Sequence, residues 1–61
     1  MILYLVTLNT DEHILIIAKN EESAKSYAFS VMEFGTWIES VEFIAIVQHD
    51  IYLEGGILKK F

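Results

Sequence analysis

The sequence predicts an α+β domain in which one helix packs on one face of an antiparallel-rich sheet of three to five strands, in the order ββαβ(β). Two apolar runs separated by a polar turn predict a hairpin, and a single segment with helical periodicity follows them. A chain of 61 residues has room for one domain, so residues 1–61 are treated as one small unit.

The first predicted strand covers residues 2–8, which read ILYLVTL. β-Branched and aromatic residues dominate this stretch, as they do in strands generally. Alternation places Ile2, Tyr4, Val6 and Leu8 on one face of the strand and leaves apolar residues on the other face as well. We therefore expect this strand to be central in the sheet, or covered on both faces.

The polar stretch 9–12 interrupts the apolar pattern, and its Asn and Asp favour a turn because their side chains bond the backbone two residues on. Residues 13–18 (HILIIA) predict a second strand, with Ile14, Ile16 and Ala18 on one face. A four-residue loop between two strands predicts an antiparallel hairpin.

Residues 20–34 predict the helix. Asn20 is a favoured N-cap, and Glu21 and Glu22 fall in the first turn, where the helix dipole favours acids. Gly35 follows at the position where a left-handed C-cap is expected. The residues with helical spacing that form one apolar stripe are Ala24, Tyr27, Ala28, Val31 and Met32.

A connection over residues 36–40 leads to a third predicted strand over residues 41–49. The tail, residues 51–61, has two short extended pieces around Gly55-Gly56, and forms either a hairpin or one edge strand bulged at the glycines. In the third strand, alternation predicts one face with Val41, Phe43, Ala45 and Val47, and the other with Glu42, Ile44, Ile46 and Gln48.

Apolar residues make up 54% of the chain, against a usual ~45–50%. The predicted strands are apolar on both faces, whereas one helix covers one face. A domain of this length buries only about 60% of its unfolded surface, and an open apolar face would exceed the few hundred Å² that monomers tolerate. The sequence therefore predicts a homodimer.

Composition argues against several classes of protein. High hydrophobicity opposes disorder, and no apolar run approaches the ~20 residues of a membrane span. No basic residue precedes the first apolar run, so a secretory signal is not expected. The chain has no Cys, which favours a reducing, cytoplasmic location. It has no Arg and a net charge of −5, which oppose binding to nucleic acid or an anionic membrane.

The charge is distributed unevenly along the chain. Between Ser26 and Leu58 there is no Lys or Arg, and the five acids of that stretch carry the whole negative excess. Two interpretations are open: an acidic interaction surface, or a solvated face that keeps the chain soluble. The acids in question are Glu33, Glu39, Glu42, Asp50 and Glu54.

Little in the sequence indicates catalysis. His13 follows Asp11 and Glu12, and His49 precedes Asp50, but these metal-ligand types have no fixed ligand spacing. No serine lies in a nucleophile elbow, and the glycine pair lacks the Lys and helix of a phosphate-binding loop. We expect no enzyme, no cofactor and no metal site, and ordinary polar turns at both histidines.

Aromatic residues cluster around the predicted helix end and the next loop: Phe29, Phe34 and Trp37. Phe29 lies off the apolar stripe. Two roles are open for Trp37: a plug at the end of the core under the helix, or an anchor at an interface, where aromatic residues are enriched. The expected partner-binding residues are Phe29, Glu33, Trp37, Glu39 and Glu42.

Three stretches together resemble small phage- and prophage-encoded proteins of unknown function. The matching pieces are Tyr4-Leu5-Val6 in the first strand, residues 17–24 (IAKNEESA) at the strand–helix junction, Trp37, and residues 56–61 (GILKKF). The resemblance implies the fold described above and no known activity. By analogy, small phage proteins of this size are often inhibitors of host or defence proteins.

We therefore expect a non-enzymatic, acidic protein-interaction module that acts as a homodimer and, by the resemblance, a phage-type inhibitor of a host or defence protein in the host cytoplasm. The acidic half is expected to steer it toward a basic surface. Two alternatives remain: an acidic decoy that mimics nucleic acid, and a small-molecule sponge with sites between protomers.

Overall fold

A computed structural model describes residues 1–48 and 55–61. In chain order these residues form β1 (Ile2–Leu8), β2 (His13–Ala18), α1 (Glu21–Phe29), β3 (Ile38–Ile46) and β4 (Gly56–Lys60). The strands pair in the order β3-β1-β2-β4, and every neighbouring pair is antiparallel. α1 packs on one face of this sheet, mainly against β2 and β1. The predicted α+β fold is confirmed.

The β1–β2 hairpin follows the prediction closely. The Leu8 N–H donates to the Glu12 carbonyl at 2.9 Å, and the Asp11 N–H donates to the Leu8 carbonyl at 3.1 Å. Asp11 closes the turn with a φ of 67°, a conformation that Asp tolerates because its short side chain bonds nearby backbone groups. The ladder then runs from the Thr7–His13 pair to the Ile2–Ala18 pair.

The core lies between α1 and the sheet. The face of β1 that carries Tyr4 and the face of β2 that carries Ile14 lie toward α1, with the residues that alternation grouped with each. The helix contributes Ala24 and Ala28, whose small side chains let its backbone come close to the strands. Ile2, Tyr27, Met32, Ile38 and Val41 pack around this core, as does Ile57 of β4. The buried residues of this core are Tyr4, Val6, Leu8, Ile14, Ile16, Ala18, Ala24 and Ala28. Ile17 is buried as well, on the other face of the sheet.

α1 begins as predicted and ends earlier than predicted. The Ser23 N–H donates to Asn20 Oδ1 at 2.8 Å, which confirms the N-cap. The helix stops at Phe29 rather than at residue 34. Ser30 Oγ donates to the Tyr27 carbonyl at 2.6 Å, and the Val31 N–H turns to the carbonyl three residues back. Such tightened bonding is how helices often terminate.

Two predictions about the end of α1 are therefore wrong. Val31 does not continue the apolar stripe, since it lies beyond the helix with 39% of its surface exposed. Gly35 does adopt a positive φ of 89°, but it lies in a later turn rather than at the helix C-cap.

β3 starts three residues before the prediction and is bulged twice. Ile38 already pairs with Leu8, so the predicted connection ends at Trp37. Glu39 and Ile44 are extra residues opposite β1, and each extra residue shifts the alternation of the strand. β3 ends at Ile46, so the prediction that the strand continues through residues 47 and 48 is wrong, although the Val47 N–H still donates to the Met1 carbonyl at 2.8 Å. Residue 49 lies outside the described residues.

The second bulge makes the predicted faces of β3 wrong beyond Phe43. Ala45 pairs with Leu3, on the face away from α1, and Ile46 pairs with Ile2, on the face toward α1. The sequence predicted the reverse for both, because strict alternation takes no account of an inserted residue.

β4 continues from the two glycines and pairs with β2, with Leu58 as its extra residue. The Phe61 N–H donates to the His13 carbonyl at 2.7 Å, which extends the pairing past the strand. The first piece of the predicted tail, residues 51–54, lies outside the described residues.

A comparison of Gly55 with Gly35, a glycine in a separate turn, tests the backbone just before β4. Gly55 (φ 76°) and Gly35 (φ 89°) both lie in the left-handed region, but a Cβ at Gly55 would lie 2.6 Å from the Ile17 carbonyl oxygen, whereas a Cβ at Gly35 meets nothing within 4 Å. We expect Gly35→Ala to cost about 1–2 kcal/mol from the conformation alone, and Gly55→Ala to cost clearly more. Equal urea midpoints for the two variants would contradict this placement of Gly55.

Glu12 joins the hairpin turn to the end of β4 and provides a pH-dependent test. Its carboxylate accepts a hydrogen bond from Thr10 Oγ1 at 2.9 Å and lies 3.5 Å from Lys60 Nζ. The Thr10 hydrogen bond and, next, the charge of Lys60 lower the pKa of Glu12. Because the folded-state pKa is lowered, this stabilisation is complete above the unfolded pKa and is lost as pH falls through the folded pKa.

We therefore expect Glu12→Gln to be less stable than wild type at neutral pH, with the difference closing in acid. Urea unfolding at a series of pH values measures it. A difference that stays constant through the carboxylate titration range would show that the Glu12 charge is not involved.

Candidate functional site

A groove runs between α1 and β3. α1 lies over the two central strands, so the α1 side of the edge strand β3 is left without a helix above it. The groove has a volume of about 460 Å³. We call it the α1–β3 groove, and its lining residues are Glu21, Lys25, Phe29, Trp37, Ile38, Glu39, Ser40 and Val41.

Local structure explains how each wall is made. Glu21, Lys25 and Phe29 are spaced four residues apart, so they lie along one side of α1. The opposite wall is the start of β3, where the bulge at Glu39 interrupts the pairing with β1. Bulges commonly re-aim a side chain at the rim of a sheet.

Two aromatic side chains in the groove are largely open to solvent. Phe29 has 60% of its surface exposed and Trp37 has 59%. The backbone of Trp37 is nevertheless held firmly: its N–H donates to Asn9 Oδ1 at 2.9 Å, and its carbonyl accepts the Asn9 N–H at 3.0 Å. Trp37 is therefore not a plug in the core, and it presents an exposed ring from a fixed backbone.

The predicted partner-binding residues do not all come together. Phe29, Trp37 and Glu39 line the α1–β3 groove. Glu33 lies in the turn after α1, where its carbonyl accepts both the N–H (3.1 Å) and Oγ1 (2.6 Å) of Thr36. Glu42 pairs with Leu5 and thus lies on the opposite face of the sheet.

Sequence reasoning missed part of this surface. Lys25 was not among the expected partner-binding residues, although it lies four residues before Phe29 and therefore on the same side of the helix. Phe43 and Ile46 also lie on the α1 side of β3, with 56% and 65% of their surfaces exposed. Ile46 could not have been found, because only the bulge brings it to that side.

The outer edge of β3 adds a second feature beside the groove. Within residues 1–48 and 55–61, β3 has β1 on one side and no strand on the other. An edge strand presents unpaired backbone groups to which another chain can bind. The run 40–43 lies between the two bulges and keeps a regular register with β1.

The nearest side-chain partners of His13 are a hydroxyl group and an aromatic ring, neither of which is a usual metal ligand. His13 Nδ1 lies 3.0 Å from Thr7 Oγ1, and its ring lies 5.7 Å from the Phe61 ring. Among the described residues, no group of three or more His, Cys, Asp or Glu side chains converges on a point where an ion could bind. His49 and Asp50, the other predicted pair, lie outside that part of the chain.

No helix within the described ranges combines the length and apolar character needed to cross a membrane. Comparison of the chain with protein-family models, with curated proteins and with solved structures gives no significant match.

The exposure of Trp37 predicts how its removal affects folding. We expect Trp37→Ala to lower the free energy of unfolding by about 1–2 kcal/mol, because more than half of the residue's surface is already exposed and Asn9 still holds the backbone. Ile16→Ala, at a fully buried position, is expected to cost about 2–5 kcal/mol. Urea unfolding compares the two, and a Trp37→Ala chain that fails to fold would restore the plug interpretation.

Proposed function

We propose that this chain is a non-enzymatic protein-interaction module that acts as a homodimer and binds a partner protein through the α1–β3 groove. The observation that carries the proposal is the pair Phe29 and Trp37, both more than half exposed in one groove. Aromatic side chains on a fixed scaffold are frequent binding hot spots, because they bury a large area and lose little conformational entropy.

The lining of the groove indicates the chemistry of the partner. Its floor is apolar at Ile38 and Val41, and its charged residues are Glu21, Glu39 and Lys25, which leave one net negative charge. A partner segment with an apolar side chain between the two aromatic rings and a Lys or Arg beside Glu39 complements both features.

The edge of β3 favours an extended segment over a helix as that partner. The run 40–43 offers regular backbone groups next to the groove, and an added strand gains affinity from main-chain hydrogen bonds while side-chain pockets supply specificity. In this arrangement the alternate side chains of the segment enter the groove.

The phage resemblance supports a more specific role within this proposal: the chain inhibits a host or defence protein in the host cytoplasm. The acidic-decoy alternative has less support, because Glu39 lies in the groove and Glu42 lies on the other face of the sheet. No observation favours the small-molecule sponge over a protein partner.

The proposal is tested by capture with matched variants. Tagged wild type, Trp37→Ala and Phe34→Ala are used to capture proteins from host lysate, followed by mass spectrometry. Phe34 is fully exposed and is not among the groove residues, so its variant is the control for losing an aromatic ring. We expect a partner that wild type and Phe34→Ala retain and that Trp37→Ala loses.

Affinity of the purified partner then measures the effect. Loss of a hot-spot Trp typically costs 2 kcal/mol or more, which corresponds to about thirtyfold weaker binding. A partner that binds Trp37→Ala as tightly as wild type would show that the groove is not the binding site.

A further inference from the structure

The sheet face away from α1, which we call the open face, has an ordered arrangement of side chains. The strand registers align its residues in three rows that cross all four strands. Leu3, Leu5 and Leu15 are half-buried there and Ile17 is buried. From β3 to β4 the rows are Ala45–Leu3–Ile17–Gly56, then Glu42–Leu5–Leu15–Lys59, then Ser40–Thr7–His13–Phe61.

The middle row has opposite charges at its two ends. Glu42 lies on one edge strand, Lys59 lies on the other, and two leucines separate them. Three strand spacings put the two charged residues about 14 Å apart, which is too far for an ion pair within one chain. Among the described residues neither has an ion-pair partner, although Lys59 Nζ lies 5.5 Å from the centre of the Phe61 ring.

We propose that two copies of this chain pack open face to open face about a two-fold axis parallel to the strands. This axis places β3 of one copy over β4 of the other and each row over itself. Glu42 then meets Lys59 of the second copy, and Leu5 meets Leu15, and symmetry makes both contacts twice. The inference rests on the proposed homodimer and specifies its interface.

Charge selects this axis over the alternative. A two-fold axis perpendicular to the strands places β3 over β3 and β4 over β4, which brings Glu42 to Glu42 and Lys59 to Lys59. Like charges across an interface oppose association, whereas complementary charges fix its orientation. Stacked sheets lie ≈ 10 Å apart with their strands about 30° from parallel, a distance that these side chains span.

The size of the open face predicts a weak dimer. Seven residues of β1 span about 24 Å and four strands about 19 Å, so the two faces together measure on the order of 900 Å². Ile17 is already buried within one chain, so the interface is smaller than the about 1,200–2,000 Å² of stable complexes and belongs to the weak, transient class. We therefore expect dissociation in the micromolar range. The α1–β3 groove lies on the other side of each sheet, so the dimer leaves both grooves open.

Charge reversal tests the axis directly. Glu42→Lys and Lys59→Glu each place like charges at both symmetric contacts, so each variant is expected to dimerise at least about tenfold more weakly than wild type. Mixed together, the two variants restore an opposite pair at both contacts and are expected to form a heterodimer. The double variant is expected to recover the homodimer.

Two further variants provide controls for net charge. Glu33→Lys and Lys25→Glu make the same charge changes at exposed positions on α1 or just after it, on the other side of the sheet, and we expect both to dimerise like wild type. Sedimentation equilibrium over about 10–500 µM spans the range for a micromolar dimer, and circular dichroism confirms that every variant is folded.

A wild type that stays monomeric over this range would overturn the inference, as would a mixture of the two charge variants that does not associate. Equal weakening by Glu42→Lys and Glu33→Lys would also overturn it. Trp37→Ala is expected to remain dimeric while it loses the partner. A monomeric wild type that still captures a Trp37-dependent partner rejects this interface alone. A dimeric Trp37→Ala chain that still captures the partner rejects the groove alone.

Discussion

The structure depends on one constraint: in the described part of the chain, one helix of nine residues packs on a sheet of four strands. Ala24 and Ala28 let that helix come close to the two central strands, where the fully buried side chains lie. α1 covers little of β3 and none of the other face, where Ile17 is buried and the leucines are half-buried. The hydrophobic effect scales with the apolar area removed from water, so burial of the apolar area that remains exposed on these two surfaces is favourable.

The two surfaces differ in the kind of partner that their shape and charge suit. The α1–β3 groove is concave, carries two exposed aromatic rings, and lies beside a strand edge, which are features of recognition between different proteins. The open face is flatter, with leucines at its centre and opposite charges at its two edges, which makes it complementary to itself. Because they lie on opposite sides of the sheet, one chain can use both at once.

Local signals predicted the parts of the fold that depend on a few adjacent residues. The bounds of β1 and β2 and the N-cap at Asn20 follow from alternation and side-chain capping alone. The end of α1 was missed because Ser30 bonds back to the helix, and the faces of β3 were missed because a bulge at Ile44 leaves no clear mark in the sequence.

The same reasons limited prediction of the site. Phe29, Trp37 and Glu39 were expected together because aromatic and acidic residues cluster near the predicted helix end, and they do line one groove. Glu42 was grouped with them by charge and lies on the other face. That Glu42, Leu5, Leu15 and Lys59 share one row depends on three strand pairings, which no single segment of the sequence encodes.

Isotope-filtered NMR on a mixture of labelled and unlabelled chains detects only contacts between copies, and so tests the proposed dimer most directly. The proposed dimer predicts contacts between the methyl groups of Leu5 in one copy and Leu15 in the other. A dimer whose contacts between copies involve α1 or the groove, with none at these leucines, would contradict the claim that the open face is covered by a second copy.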